Sequence, residues 1–265
     1  MGEPDPEIDA VLATLQLVSG LETLLADTLR QALDEVIDGA RTGRFSVDQL
    51  EKTEKTYIGT KVEILLRYAF EWPRGGTLDN LIAGIEVDTK FSLTGQWMIP
   101  REARGKICLL AAADDRKARF SVGLLRMTPE VLRSGQNQDG KTSVSAEGRQ
   151  QIRWLTYERP MVPNFLLSLD PAMLAAIQAH RSGKGRITAL FEQVTGRLIP
   201  RFVVVQIIKL PGDPMKRARE AKATLAREGY RVLCATYADD RQAMHDAGFT
   251  NCADDDWLSL APRRR

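Results

Sequence analysis

Two acids and a lysine occur at a spacing that could bring their side chains to one site. Asp88 and Lys90 lie in the stretch IAGIEVDTKFS, where apolar and polar residues alternate as they do along a β-strand. The alternation places both side chains on one face, and Asp79 lies nine residues before Asp88. Carboxylates are ligands that Mg²⁺ prefers, and a lysine beside the metal can orient water or stabilise developing negative charge. These residue types suit metal-dependent hydrolysis of a phosphodiester.

Glu63, on a predicted helix upstream, could add a third carboxylate. Each of these residues also has an ordinary structural explanation. Asp88 and Lys90 could form an ion pair on an exposed strand face, and Asp79 in the run LDN is typical of a turn. The run TKVE, residues 60–63, matches a helix capping box in which the glutamate would bond the backbone of the threonine. The residues alone leave these alternatives open.

The composition sets limits on the kind of chemistry. The chain has 265 residues, 43% of them hydrophobic, which is enough for one large domain or two smaller ones. Three cysteines without a CxxC pair argue against a disulfide framework or a structural zinc site and predict a cytoplasmic location. The two histidines, His180 and His245, leave few candidates for a Ser-His-Asp triad. The acidic N-terminus and the short apolar runs predict neither a signal peptide nor a membrane span.

Apolar spacing in the first part of the chain predicts helices followed by several strands. Helices are predicted at residues 8–41 and from about 61 to 70, and strands at 79–92, 106–113 and 120–127. Residues 134–149 are polar and rich in Gly and Ser, which predicts a loop. This order indicates an α/β domain over residues 1–158, in which helices pack on a sheet.

The second part of the chain follows the proline-containing run TYERPMVPN and is strongly basic. Residues 186–194 and 199–209 are amphipathic segments around Gly196, the pattern of a helix-turn-helix, although the valines of the second segment also suit a strand. Residues 181–222 hold ten Lys or Arg and three acids, a net charge of +7 in a chain of net charge +2. The basic cluster could be a solvated helix face, but beside this pattern it favours phosphate binding by residues 164–265.

Several runs of the sequence resemble the NaeI family of restriction endonucleases. They are QLEKTEKTYIGTKVEILLRYAF, LDNLIAGIEVDTKFS, WMIP, GKICL, GRLIPR and DPMKRAR. Separations of sixteen, nine and two residues match the family's catalytic set, which falls on Glu63, Asp79, Asp88 and Lys90. The resemblance implies a restriction-endonuclease-like mixed sheet flanked by helices, of the PD-(D/E)xK class. A winged helix-turn-helix-like domain for DNA and effector binding would follow it.

The same resemblance implies a homodimeric type II enzyme that hydrolyses both strands of double-stranded DNA with Mg²⁺. The target would be a palindrome, GCCGGC or a related GC-rich site, and a second copy of the site would act as an effector. A cognate DNA methyltransferase would be the genetic partner. Glu63, Asp79 and Asp88 would bind the metal, and Lys90 would be the catalytic lysine.

Basic residues in the last two matching runs imply contacts to DNA. The implied DNA-binding residues are Arg197, Arg201, Lys216, Arg217 and Arg219. Two other functions remain as alternatives: a MutH-like nicking endonuclease of DNA repair, and a non-catalytic helix-turn-helix regulator. A regulator would have no reason to carry the spaced acids and lysine, which favours the endonuclease.

Overall fold

A computed structural model of the protein describes residues 4–209 and 212–262. The chain divides into two compact units. One comprises residues up to Val36 together with Leu50–Pro163, and the other comprises Ile37–Gln49 together with residues from Asn164 onward. The segment Ile37–Gln49, which lies within the domain predicted over residues 1–158, therefore belongs with the second unit.

Helices that bury apolar faces open the first unit. Asp5 caps α1 (Pro6–Gln16) by accepting a hydrogen bond from Ile8 N at 3.1 Å. Gly20 adopts a φ of 67°, and α2 (Leu21–Ile37) begins directly after it. The short α3 (Gly39–Thr42) lies in the second unit. The helix predicted over residues 8–41 is therefore divided, because glycine permits the left-handed conformation that ends a helix.

The helix predicted from about residue 61 begins earlier. α4 covers Lys52–Ala69, and its first turn is closed by a capping box in which Glu51 N donates to Glu54 Oε2 at 2.8 Å. Glu63 consequently lies inside the helix, so the capping-box interpretation of the run TKVE is wrong. The first turns of α4 are largely exposed and carry little apolar periodicity, which explains why the sequence did not indicate them.

A five-stranded mixed sheet forms the centre of the first unit. Its strands, in spatial order, are β1 (Asn80–Ile82), β2 (Ile85–Ser92), β4 (Ile107–Asp114), β5 (Arg119–Arg126) and β7 (Arg153–Pro160). β2 and β4 are parallel, and the other neighbouring pairs are antiparallel. The short strands β3 (Met98–Ile99) and β6 (Thr142–Ser143) pair with each other, and α5 (Ala146–Gln150) follows. Because α4 contacts β2 and α1 contacts β5, the predicted mixed sheet flanked by helices is confirmed.

The strands lie close to where the sequence places them, with one division. The predictions at residues 106–113 and 120–127 are confirmed by β4 and β5. The strand predicted over 79–92 is a hairpin, because Ala83 and Gly84 adopt positive φ angles of 54° and 75° and reverse the chain. The loop predicted over 134–149 contains β6 and most of α5.

The polar face of β2 is not a solvent-exposed face. Asp88 and Lys90 pair with Cys108 and Leu110 of β4, and side chains at paired positions share a face of the sheet. Cys108 and Leu110 belong to a buried apolar cluster with Trp97. Asp88 is only 4% exposed. The alternative of an ion pair on an exposed strand face therefore does not describe these residues.

The second unit combines helices with a three-stranded antiparallel sheet. The helices after α5 are α6 (Pro171–Gln178), α7 (Gly183–Gln193), α8 (Arg201–Ile208), α9 (Pro214–Ala226) and α10 (Ala238–Asp246). The strands are β8 (Leu198–Ile199), β9 (Arg231–Cys234) and β10 (Trp257–Leu260), with β10 in the middle. Asp170 caps α6 by accepting from Ala172 N at 2.8 Å, and Pro171 takes the first helical position, as the sequence predicts.

The structure modifies the helix-turn-helix predicted over residues 186–194 and 199–209. Both segments contain helices, α7 and α8, so the valines of the second segment are helical. A strand separates the two helices, because β8 pairs with β10. α8 is followed by α9 with no strand among the described residues between them, and both helices contact α7.

Arg186 of α7 holds the ends of neighbouring helices. Its guanidinium donates from Nε to Ile207 O at 2.7 Å and from Nη2 to Ile208 O at 3.0 Å. Nη1 donates to the carbonyl oxygens of His180 and Arg181 at 3.1 and 3.0 Å. The side chain thus satisfies carbonyl groups at the end of α8 and in the connection between α6 and α7.

We expect Arg186→Met to lower the free energy of unfolding by about 2 kcal/mol, because these carbonyls lose a charged donor. Urea denaturation followed by circular dichroism measures the loss. Arg181→Met removes an exposed arginine from the same connection and serves as the control. Equal stability of the two variants would show that water replaces the guanidinium without loss.

A helix that spans a membrane needs about 20 consecutive, predominantly apolar residues. Within residues 4–209 and 212–262, no single helix is long and apolar enough to cross a membrane. Pro6–Gln16 and Leu21–Thr42 meet the requirements only as a pair bent by 90°, and core helices of other proteins meet the same requirements.

Candidate active site

A tight hairpin places Asp79 opposite Asp88. β1 and β2 are joined by a two-residue turn, and their register pairs Asn80 with Val87. One position further along, Asp79 faces Asp88, and Asp79 Oδ2 accepts a hydrogen bond from Thr89 N at 2.8 Å. With a two-residue turn between β1 and β2, two residues that are nine positions apart can lie opposite each other, as Asp79 and Asp88 do.

Lys90 lies beside Asp88 on the same face of β2. Lys90 Nζ is 2.8 Å from Oδ1 and 2.7 Å from Oδ2 of Asp88, and it also donates to Thr89 O at 3.3 Å. The side chain of Lys90 is 22% exposed and that of Asp88 is 6% exposed. The ion pair is thus largely withdrawn from water, with the lysine the more accessible partner.

Burial and neighbouring charges shift the pKa values of Asp88 and Lys90. Burial, followed by a hydrogen bond with Asp79, raises the pKa of Asp88 to about 7, against the opposing effect of Lys90. Burial lowers the pKa of Lys90, but the charge and hydrogen bond of Asp88 and the charge of Asp79 together outweigh it, so the Lys90 pKa lies above its ordinary value. The site therefore gathers more carboxylate charge than the lysine neutralises.

Glu63 reaches the site from α4 and is engaged by Arg67. The two residues form an i,i+4 ion pair, and Arg67 Nε donates to Asn80 Oδ1 at 3.1 Å. Asn80 Nδ2 in turn donates to Thr89 Oγ1 at 2.9 Å. Burial and then the charge of Asp79 raise the pKa of Glu63. Glu63 therefore lies within electrostatic reach of Asp79, although its carboxylate is bonded to the arginine.

Sequence reasoning did not find the residues that support the site. Arg67, Asn80 and Thr89 connect α4 to β1 and β2, and Asn80 is fully buried. One feature of the sequence could have indicated them: Asn80 lies among apolar residues in the run LDNLI. A side-chain amide in such a run is expected to be buried, and a buried amide needs hydrogen-bond partners nearby.

Glu86 anchors the loop that carries Asp79. Glu86 Oε1 accepts a hydrogen bond from Thr77 N at 2.7 Å. Backbone hydrogen bonds, first from Thr77 and then from Gly76 and Leu78, lower the pKa of the Glu86 carboxyl. The carboxylate thus fixes the three residues that immediately precede Asp79.

The paired acids offer oxygen ligands of the kind that a divalent cation prefers. Asp79 lies close enough to Asp88 to raise the pKa of its carboxyl, so one cation could neutralise both carboxylates. Among residues 4–209 and 212–262, no group of three or more His, Cys, Asp or Glu side chains is arranged to hold a metal ion. The arrangement fits a cation that keeps several water ligands, as Mg²⁺ does, rather than one enclosed by protein.

The implied DNA-binding residues all lie exposed in the second unit. They are Arg197, Arg201, Lys216, Arg217 and Arg219. The last three belong to α9, and Arg201 and Arg219 line one cavity. Arg197 Nη2 donates to Ser168 Oγ at 2.7 Å, so this arginine already has a partner within the unit. The structure therefore brings Arg201 and Arg219 to one cavity, whereas Arg197 is bonded to Ser168.

Comparison with known proteins identifies the family. The family model described as restriction endonuclease NaeI matches residues 11–264. The chain belongs to the NaeI restriction endonuclease family. It is 38% identical over 243 residues to the type II restriction enzyme NaeI of Lentzea aerocolonigenes, a match that covers 87% of this chain and 76% of that enzyme. The resemblance stated from the sequence runs is confirmed.

Membership of the NaeI family makes the chain a restriction endonuclease, which is a DNA-binding nuclease and a hydrolase that cleaves DNA at specific sites. Type II restriction endonucleases generally use divalent metal ions. The opposed carboxylates of Asp79 and Asp88 agree with that requirement. The roles of individual catalytic and DNA-contacting residues remain predictions.

Proposed function

We propose that this NaeI family member is a type II enzyme that uses Mg²⁺ to hydrolyse both strands of a palindromic DNA site, GCCGGC or a related GC-rich sequence. The observation that carries the proposal is the hairpin that opposes Asp79 to Asp88, with Lys90 Nζ 2.7 Å from the Asp88 carboxylate. The relative from Lentzea aerocolonigenes, named as a type II restriction enzyme, supports the same class of reaction.

Each residue of the site has a role in this proposal. Asp79 and Asp88 would bind the metal, and Glu63 would be the third acidic residue. When bound, Mg²⁺ would supply an activated water and neutralise charge on the phosphate. Lys90 would hold its proton on Nζ and donate a hydrogen bond to the attacking water or to a phosphate oxygen. The burial of Asp88 would strengthen these electrostatic interactions.

We expect Glu86→Ala to raise the Mg²⁺ concentration needed for half-maximal cleavage by about tenfold, because the loop before Asp79 loses its anchor. DNA binding should be unchanged, since Glu86 acts by positioning another residue. Cleavage rates measured across Mg²⁺ concentrations test this, and Glu102→Ala, at an exposed acid of the same unit, is the control. An unaltered metal dependence would contradict the positioning role.

The second unit would be a winged helix-turn-helix that binds DNA, including an effector copy of the site. Its support is the order α7, β8, α8, α9, β9, α10 and β10, with β10 between the other two strands of the sheet. In this arrangement α8 and α9 form the helix-turn-helix, and α9 is the helix that would enter the major groove. Ala218, Ala221 and Leu225 bury one side of α9, which leaves its basic residues exposed.

A palindromic target also implies partners. Two identical half-sites are cut symmetrically by a two-fold dimer, so the active form would be a homodimer. A cell that contains such a nuclease must protect its own copies of the site. We therefore propose a cognate DNA methyltransferase as the genetic partner.

Digestion of a fully sequenced plasmid by the purified protein with Mg²⁺, followed by sequencing of the ends, tests the proposal. Double-strand breaks at one palindrome would support it and would give the recognition sequence. Nicks alone would favour a MutH-like nicking endonuclease, and specific binding without cleavage would favour a non-catalytic regulator. Faster cleavage of a plasmid with two sites than of one with a single site would support the effector function.

A further inference from the structure

The guanidinium of Arg67 joins the third acidic residue of the site to the hairpin. Arg67 Nη2 is bonded to Glu63 Oε1, one turn earlier on α4, and Arg67 Nε donates to Asn80 Oδ1 of β1 at 3.1 Å. Asn80 Nδ2 donates to Thr89 Oγ1 of β2 at 2.9 Å, and Thr89 N donates to Asp79 Oδ2 at 2.8 Å. The position of Glu63 is therefore set relative to the strands that carry the other acids, and not by α4 alone.

This ion pair differs from the pairs of glutamate and arginine that are common on exposed helix surfaces. The side chain of Arg67 is 18% exposed and that of Glu63 is 26% exposed. Asn80 is fully buried, so its side-chain oxygen needs a donor, which Arg67 supplies. A guanidinium that is bonded at two places has little freedom to move away from either partner. Arg67 therefore holds the Glu63 carboxylate in one place.

The Glu63 carboxylate stands apart from the two opposed aspartates. Within the part of the chain that the structure describes, no three His, Cys, Asp or Glu side chains are grouped so that they could hold a metal ion. Lys90 pairs with Asp88, whereas Arg67 pairs with Glu63. Because Arg67 already balances the charge of Glu63, the carboxylates of Asp79 and Asp88 are the stronger attraction for a cation.

We infer that Arg67 is a positioning residue of the cleavage reaction, which holds Glu63 away from the metal so that Asp79 and Asp88 are the protein ligands. The inference rests on the proposed Mg²⁺-dependent cleavage and deepens it. Mg²⁺ keeps several water ligands, and hydrolysis needs one of them. A third carboxylate on the cation would take the place of a water. By engaging Glu63, Arg67 leaves that place open.

Binding of Mn²⁺ to the full-length, DNA-free protein, followed by electron paramagnetic resonance, tests this role without cleavage. Mn²⁺ prefers the same oxygen ligands as Mg²⁺. We expect Arg67→Met to bind Mn²⁺ about tenfold more tightly than the wild type, because Glu63 is released and a nearby positive charge is lost. The gain should disappear in the double variant that also carries Glu63→Gln.

The same spectra report the water ligands of the bound Mn²⁺, because water enriched in the magnetic oxygen isotope broadens the signal. We expect fewer water ligands in Arg67→Met than in the wild type, since the released Glu63 replaces a water. A loss of packing alone would not change the number of water ligands, so this readout separates positioning from a structural role.

Two further variants serve as controls. Lys61 lies on the same helix as Arg67 but pairs with Glu35 of α2 at 2.5 Å, so Lys61→Met should bind Mn²⁺ as the wild type does. Asp88→Asn removes a proposed ligand and should lose most of the binding. Equal binding by Asp88→Asn and the wild type would refute the proposed metal site, and the inference with it, whatever the Arg67 variants do.

Cleavage kinetics give a second readout. At saturating Mg²⁺ we expect Arg67→Met to lower kcat about tenfold and to leave the KM for DNA close to that of the wild type. Tighter metal binding with slower cleavage is the combination that the positioning role requires. Arg67→Lys keeps the charge but cannot bond Glu63 and Asn80 as the fork of arginine does, so it should restore only part of the rate.

Glu63→Gln covers the case in which Arg67→Met does not fold. Glutamine keeps an acceptor for the guanidinium, and we expect it to weaken Mn²⁺ binding only a few-fold with the same number of water ligands, because Glu63 is not a ligand. A loss as large as that of Asp88→Asn would overturn the inference. Weaker Mn²⁺ binding by Arg67→Met would also overturn it by showing that the arginine presents Glu63 to the metal, and unchanged binding would reduce Arg67 to a structural role.

Discussion

Lys90→Met should reduce DNA cleavage by about a thousandfold or more and leave DNA binding intact. Lys90 Nζ lies 2.7 Å from Asp88, and the Lys90 pKa is raised above its ordinary value by that carboxylate, so the side chain is a fixed cation at the site. Methionine keeps most of the side-chain volume and removes the charge. The fold should therefore survive while stabilisation of the developing phosphate charge is lost.

The measurement is single-turnover cleavage of supercoiled plasmid with Mg²⁺, together with binding of the same target in metal-free buffer. Lys117→Met is the matched control, because Lys117 is an exposed lysine of the same unit that pairs with Asp114 at 3.2 Å. Lys90→Arg should restore only part of the rate, since its larger planar group cannot occupy the same position. Cleavage by Lys90→Met close to the wild-type rate would remove this lysine from the chemistry.

Local geometry allowed Asp88 and Lys90 to be placed on one face, whereas residues 79–92 were predicted as one strand, which missed the turn that brings Asp79 opposite Asp88. Alternation along a strand is enough to place Asp88 and Lys90 on one face. The separation from Asp79 to Asp88 is fixed by a two-residue turn, and the run AG supplies residues that adopt its positive φ angles. No contact with a distant segment is needed for this part of the site.

The surroundings of these residues could not be predicted because distant segments supply them. Asp88 is buried because β2 pairs in parallel with β4, which brings Cys108 beside it. Arg67 and Asn80 meet only when α4 packs on the hairpin. In the second unit, β8 has two residues, too few for a periodic signal, and its partner β10 is near the end of the described chain. The sequence therefore indicated two helices there without the strand between them.

Asp88→Asn should make the metal-free protein more stable at about pH 8 while abolishing cleavage. The ordinary pKa of the group is 3.8, and burial with the neighbouring Asp79 raises it to about 7. Between these values the folded protein binds more protons than the unfolded chain, so stability falls as pH rises. Above about pH 7 the wild type carries the full penalty, on the order of 4 kcal/mol, which asparagine avoids because it does not ionise.

Calorimetry in EDTA tests this prediction by comparing melting temperatures at about pH 8 and about pH 4. The variant should melt several degrees above the wild type at the higher pH and close to it at the lower pH. Asp114→Asn is a control for which the opposite effect is expected. Burial raises the Asp114 pKa, but the hydrogen bonds and charge of Lys117 lower it further, so the net pKa is below the ordinary value. Ionised Asp114 therefore stabilises the fold, and its replacement by asparagine should lower the melting temperature at about pH 8. Mg²⁺ should then stabilise the wild type and not Asp88→Asn. If the variant is no more stable at the higher pH, Asp88 does not carry the unfavourable charge that a metal cofactor would neutralise.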